Sequence, residues 1–385
     1  MRYLTAGESH GPAITAILEG LPADLAVSAE EIDRDLKRRQ GGYGRGRRMQ
    51  IEKDTIEILS GIRHGKTMGG PVSLMVHNDD WKNWTDVMGI GPTDTPTTRR
   101  RVSKPRPGHA DLAGGLKYNH RDLRNILERA SARETTMRVA VGAIAKRMLA
   151  EFQIDVFSHV TRIGQVDAVL DGLSNDKIRN DSEGSPVRCA DVSASAEMVS
   201  EIDRAKELKD TIGGIFEVRV TNAPPGLGSH VQWDRKLDAR LAQAVMSIQA
   251  VKGVEIGMGF DVTNVLGSEV HDEIFYGDGQ FYRETNRAGG IEGGMTEGED
   301  IVVRGALKPI ATLMRTIMSV DIETKEPFDS AKERSDVCTV PAAGVIGEAV
   351  VAFEIADALC AKFGGDSMDE MKRNYDGYMD QIGDY

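Results

Sequence analysis

Two histidines in this chain lie on glycine- or proline-framed segments close to cationic side chains, a setting suited to moving protons at a charged ligand. His10 lies in Gly7-Glu8-Ser9-His10-Gly11, directly after the strand-like run Arg2–Ala6, so its ring would stand at a strand end with backbone open to a ligand. His109 lies in Arg106-Pro107-Gly108-His109-Ala110-Asp111, where Arg106 supplies charge, Pro107 stiffness and Gly108 freedom. Either one alone is compatible with an ordinary turn histidine whose ring is satisfied by its neighbours. Two of them, with a concentrated basic segment in the same chain, point to a site that grips an anion.

That segment holds Arg34, Lys37, Arg38, Arg39, Arg45, Arg47 and Arg48 against the single acid Asp35, with Gly41, Gly42, Gly44 and Gly46 between them. It reads as a nucleic-acid-binding tail, as a solvated charged face, or as an arginine-bearing lid over an anion. The lid is favoured, since glycine supplies motion and arginine bidentate contacts. Three further clusters add cations. Arg129 and Arg133 flank the small residues Ala130, Ser131 and Ala132, which would let a flat or phosphorylated ligand approach, or would pack helices closely. Lys308-Pro309-Ile310-Ala311-Thr312 offers a cation and a hydroxyl on a restricted turn. Arg334 and Asp336 place opposite charges two residues apart, on one side if extended.

The bulk composition narrows the partners. A net charge of −12 and 5% aromatic residues argue against general nucleic-acid binding, which needs a basic footprint and stacking rings. Cys189, Cys338 and Cys360 are far apart and form no C-x-x-C pair, so neither a disulfide framework nor a zinc site is expected. The N-terminal residues contain no apolar h-region and no window reaches a membrane-span length, which predicts a cytoplasmic, membrane-free protein. The phosphate-loop, G-x-G-x-x-G, H-E-x-x-H and G-x-S-x-G signatures are all missing in their required contexts.

The elements that must position these residues alternate irregularly. Strands are expected at Arg2–Ala6, Ile14–Leu18, Gln50–Leu59, Val72–His77 and Ile215–Thr221, with Asp261–Val265, Ile301–Leu307 and Ile310–Leu313 as strand or loop candidates. Ser28 and Glu31 resemble a capping box opening a helix through Ile32 and Leu36. Further helices are expected across Ser131–Phe152, Met198–Leu208, Leu237–Ile248 and Val345–Lys362. Residues 78–104 and 171–191 read as polar excursions. Without a steady βαβ rhythm, the pattern predicts an α+β fold in a single large domain over 1–385, with 364–385 as a peripheral tail.

Taken in order, these segments resemble the chorismate synthase family. The resemblance rests on GESHG at 7–11, RRQGGYGRGRR at 38–48, RPGHADL at 106–112 and RASARETTMRVAVGAIAK at 129–146. It continues through DTIGG at 210–214, GLGS at 226–229, AGGIEGGMTEGEDI at 288–301, LKPIAT at 307–312 and RSDVC at 334–338. It implies a carbon–oxygen lyase that eliminates phosphate from 5-enolpyruvylshikimate 3-phosphate to give chorismate, the last common step of the shikimate pathway. The reaction is an anti-1,4-elimination that requires reduced FMN, with no net redox change. The fold implied is two mainly antiparallel sheets sandwiching helices, assembled as a homotetramer.

Residue roles follow from the same resemblance. His10 matches the histidine that protonates the flavin near N1, His109 the one beside the departing phosphate, and Asp336 the carboxylate that assists proton removal through flavin N5. Arg39 and Arg45 match substrate-clamping positions, also described as nicotinamide-nucleotide contacts, Arg48 is grouped with them as substrate- or NADP-binding, and Arg106 and Arg133 add charge around the substrate. Ser131, Ala132, Arg133, Gly293, Lys308, Pro309, Ile310, Ala311, Thr312 and Arg334 match flavin-contacting positions. Gln249 and Ala250 depart from the family's S-I-N-A pattern, because Gln249 stands where an asparagine is usual. No metal is expected. An external flavin reductase, with NADPH as an indirect reductant, is the expected source of reduced FMN. Two rivals remain at this point. One is a metal-dependent phosphohydrolase using His10, His109, Asp111 and His120; the other is an anion- or RNA-binding protein using residues 34–48.

Overall fold

Burial alternates along the first strands as a half-covered antiparallel sheet requires: Ile14, Ala16 and Leu18 face inward on one strand, and Val72, Leu74 and Val76 on its neighbour. These elements come from a computed structural model, which describes residues 1–46, 54–92, 100–277, 279–329 and 336–385. The first sheet contains β1 (Arg2–Ala6), β2 (Ala13–Glu19), β3 (Glu57–Ser60) and β4 (Val72–His77), in the order β1-β2-β4-β3. The second contains β5 (Asp155–Ile163), β6 (Val166–Asp167), β7 (Gly214–Thr221), β8 (Val251–Ile256) and β9 (Ile301–Leu307), in the order β8-β9-β7-β5-β6. Every pairing within these two sheets is antiparallel.

Along the chain the longer helices are α1 (Ala29–Gln40), α2 (Asp111–Tyr118), α3 (Arg124–Ala130), α4 (Thr135–Ala150), α5 (Asn175–Gly184), α6 (Val192–Glu207), α7 (Leu237–Met246), α8 (Val340–Phe363) and α9 (Met368–Gly383). Of these, α4 and α8 fill the space between the sheets, α4 packing on β2 and β4 and α8 on β5 and β7. The chain is therefore an α+β sandwich, as expected. Small residues set the spacing of its layers. A Cβ on Gly142 of α4 would lie 2.3 Å from the Ala349 Cβ of α8, and one on Gly347 would lie 2.5 Å from the Phe216 ring of β7. With no side chain at those points, α8 approaches α4 on one side and the sheet on the other closely.

A carboxylate is buried within the central helix α8. Glu348 of α8 is 1% exposed and accepts from Arg38, Lys146, Arg188 and both the backbone N–H and hydroxyl of Ser158. Several cations and hydrogen bonds offset its desolvation and hold the carboxyl well below its ordinary range. Arg38 is thus committed to the fold rather than to a ligand.

The local expectations met mixed outcomes. Ser28 caps α1, accepting from the Glu31 N–H at 3.2 Å. The expected strand Gln50–Leu59 is a strand only from Glu57, with 50–53 outside the described residues. Residues 259–264 form a 3-10 turn, and Ile310–Leu313 is no strand, since Pro309 removes a ladder donor just before it. The polar excursion contains α5, capped by Ser174 and burying only Ile178 and Ser182, too few apolar positions to betray a helical period. Beyond Phe363, α9 buries Met368 and Met371 beneath it, and Ser367 bridges to Ala23.

Candidate active site

The turn between β1 and β2 carries His10. Gly7 opens it at φ +107, where an added Cβ would stand 2.5 Å from the Ala13 carbonyl oxygen, so glycine is required there. The turn is then fastened from several directions. Ser9 N–H donates to the Glu128 carbonyl at 3.0 Å, Asn78 Nδ2 donates to the Ser9 and Gly11 carbonyls, and Arg129 donates to Thr5 and Gly7. On this base the His10 ring stacks on Trp84, with centroids 3.8 Å apart, and its Nδ1 lies 2.9 Å from Glu128 Oε2. Arg124 donates to the same carboxylate at 2.8 Å. Burial pushes the Glu128 carboxyl up, but His10 and Arg124 outweigh it and hold the group below its ordinary value.

His109 has a parallel arrangement built from its own neighbours. Its Nδ1 is 2.6 Å from Asp111 Oδ1, while Arg106 Nε donates to Asp111 Oδ2 at 2.9 Å. Asp111 is fully buried at the first turn of α2, where the helix N-terminus favours negative charge. Burial raises its carboxyl, yet the His109 and Arg106 hydrogen bonds draw it far below the usual range. Lys308 Nζ donates to the Gly108 carbonyl at 2.6 Å and ties this loop to the segment after β9.

Both histidines line one cavity of about 2010 Å³. Arg45, Arg106, Ser131, Ala132, Gln249, Ala250 and Asp336 also line it, as do Lys308, Ile310, Ala311 and Thr312. Eight Lys and Arg against three Asp line this cavity, inside a protein of net charge −12, so its interior is biased toward anions. Four residues that line it or support it escaped the sequence reading: Trp84, Arg124, Lys104 and the buried Glu128. Nothing in their local sequence marks them.

Other expected site residues fall elsewhere. Arg39 and Arg133 are buried, at 5% and 8% exposure, and both bind Asp54, so they stand behind the cavity surface rather than on it. Burial and the neighbouring Arg133 depress the Arg39 guanidinium's proton affinity, partly offset by Asp54. Gly293 and Pro309 are not among the lining residues, and Arg48 and Arg334 lie outside the described residues. His120 is likewise absent from the lining, and Asp111 is committed to His109 and Arg106, which leaves the phosphohydrolase grouping dispersed.

Within the glycine–arginine segment, residues 41–46 are tied to their surroundings by a series of hydrogen bonds. Tyr43 N–H donates to Pro186 O at 2.8 Å and its hydroxyl to Asp203, Gly44 O accepts from Val337, and Gly46 N–H donates to Asp336. Arg45 also pairs with Asp336 at 3.2 Å. Gly42 and Gly44 serve close packing here: added Cβ atoms would meet Pro341 at 2.9 Å and Ile202 at 3.0 Å. This stretch forms part of the cavity wall.

A family model described as chorismate synthase matches residues 1–360. A chorismate synthase of Brevibacillus brevis is 58% identical over 380 residues, covering 98% of each chain. One from Geobacillus sp. is 59% identical over 377 residues, covering 97% of each. Among solved structures, a crystal structure of chorismate synthase superposes with a TM-score of 0.81 at 45% identity, covering 100% of this chain and 98% of its own. Together with the histidine-lined cationic cavity, these likenesses establish that the chain belongs to the chorismate synthase family, lyases of the shikimate pathway that form chorismate.

Proposed function

We propose that the cavity binds 5-enolpyruvylshikimate 3-phosphate beside reduced FMN, and that the residues around it divide the work of the elimination. The observation that carries this reading is the convergence of His10 and His109, ninety-nine residues apart, on one cationic cavity. The substrate bears two carboxylates and a phosphate, and burying those charges is tolerable only among such cations. The lining also suits a flavin. Ala130, Ser131, Ala132, Ala250 and Ala311 give low walls to a flat ring. Gln249 Oε1 is a buried acceptor with no hydrogen-bond partner among the described residues, and a ring N–H would satisfy it.

Reduced flavin, when bound here, would supply the electron density that the elimination requires. The chain's own residues do the rest. His109 gives a proton to the departing phosphate, with Asp111 holding its ring. His10 keeps a proton at the flavin, and Asp336, anchored by Arg45 and Gly46, assists removal of the C6 hydrogen. Arg45 and Arg106 hold substrate anions at the surface of the cavity, and Arg39 and Arg133 add positive potential from behind it. Arg48 and Arg334 belong to the same assignments from outside the described residues. The chain works in the cytoplasm as a homotetramer and takes reduced FMN from an external reductase, with NADPH as the indirect reductant.

The test is an anaerobic assay with chemically reduced FMN, run against an aerobic assay with NADPH and FMN. Chorismate and phosphate should form in equal amounts in the first and not in the second. Phosphate released without chorismate, or without any flavin, would overturn the reading; chorismate in the aerobic assay would overturn only the need for an external reductase.

A further inference from the structure

His10 is held more elaborately than a turn residue requires. Its backbone N–H donates to Glu128 Oε2 at 2.9 Å, and its Nδ1 lies within 3.0 Å of both oxygens of that carboxylate. The Glu128 side chain is 1% exposed and comes from α3, 118 positions along the chain. Its oxygens otherwise receive Arg124 Nη1. The opposite support is Trp84, whose ring stacks on His10 at an interplanar angle of 30° and whose indole N–H is fixed by Asp80 at 2.7 Å. Arg100 lies 3.9 Å from the Trp84 ring centroid and Arg124 5.2 Å, so Trp84 is itself braced by two cations.

A carboxylate beside a ring nitrogen accepts a hydrogen from it, which decides the tautomer of the neutral ring. Here Nδ1 must carry that hydrogen, and Nε2 becomes the nitrogen that can take or give a proton. The double grip on backbone and ring removes the rotations that would swap the two nitrogens. We infer that Glu128 is a positioning residue for the elimination: it holds the cavity-lining His10 ring as the Nδ1–H tautomer, which leaves proton exchange to Nε2, with Trp84 as the backing plate. This rests on the proposed role of His10, and it assigns a function to a buried acid that has no other task in the site.

The experiment uses full-length protein labelled with ¹⁵N-histidine, in the wild type and in Glu128→Leu, Glu128→Gln, His10→Ala and the His10→Ala/Glu128→Leu double variant. In the wild type, the neutral His10 ring should show a protonated Nδ1 and an unprotonated Nε2; Glu128→Leu should shift it toward the opposite tautomer. Turnover with reduced FMN should fall about 100-fold in Glu128→Leu, the scale of a lost acid–base group, with KM for substrate unchanged. Glu128→Gln keeps one acceptor oxygen and should recover part of the loss, which a failure of Glu128→Leu to fold would not obscure. The double variant should be no slower than His10→Ala, because Glu128 acts through the ring.

A wild-type ring with Nε2 protonated, or losses that multiply in the double variant, would overturn the inference. Absence of chorismate formation by the wild type would instead overturn the function reading, and the tautomer measurement would still decide the placement of His10.

Discussion

The two histidine corners of the cavity are made of the same parts, a ring, a buried carboxylate and an arginine, yet they are mounted differently. At His109 the carboxylate is two residues away and the arginine three, so one loop and the first turn of α2 supply everything. At His10 the carboxylate and arginine arrive on α3 and the stacking ring from the segment after β4. The first corner is set by local backbone geometry and would survive modest shifts of the layers. The second exists only once β1, β2, α3 and the Trp84 segment have docked, so its geometry reports the tertiary fold. In the proposed division of roles, a locally built group would suit the proton delivered to the leaving phosphate, whereas a group assembled from afar would tie cofactor chemistry to complete folding.

Substitutions can break that contrast at either corner. The largest effect is expected from His109→Ala: kcat should fall by about 10²–10⁴-fold, as for loss of a general acid, while FMN affinity, measured by fluorescence titration, stays near the wild-type value. Asp111→Asn should come next. It leaves Arg106 beside a neutral amide and should cost about 3 kcal/mol of stability in denaturant melts. Its pH dependence has a definite sign. The Asp111 carboxyl is drawn below its ordinary value of 3.8, so its stabilisation is present above that pH and is lost as pH falls beneath it. The wild type should lose stability along that acid limb more steeply than Asp111→Asn does.

A core change should disturb neither corner selectively. Gly142→Ala forces a methyl against Ala349 of α8 and should cost about 1–3 kcal/mol in melting experiments, with kcat per folded molecule unchanged. The smallest effect belongs to Trp84→Phe, which keeps an aromatic plate but weakens the stack by about 1 kcal/mol. It should lower kcat slightly and leave the His109 corner untouched, as read by the ¹⁵N signals of the two rings.

The same contrast explains what was legible in the sequence. Arg106, His109 and Asp111 are near neighbours, so their residue types and spacing announced a site, and short apolar runs announced β1, β2 and β4. Glu128 and Trp84 are unremarkable in one dimension because their partners are assigned by packing. The close packing at Gly42 and Gly44 was hidden for a similar reason: added Cβ atoms there would meet Pro341, Ile202 and Cys338, contacts that no local pattern reveals. Arg39 and Arg133 were legible as cations of the site, but their burial against Asp54 depends on α1 and α4 being pressed together.

The central claim is that one cavity holds both ligands between the two corners, and a crystal structure of the chain with FMN and 5-enolpyruvylshikimate 3-phosphate tests it most directly. The account predicts the flavin ring against Ala130, Ser131 and Ala132 with His10 at its edge, and a phosphate oxygen about 3 Å from the His109 ring. A flavin or substrate bound outside this cavity, or a phosphate too far from His109 for a direct or single-water contact, would contradict it.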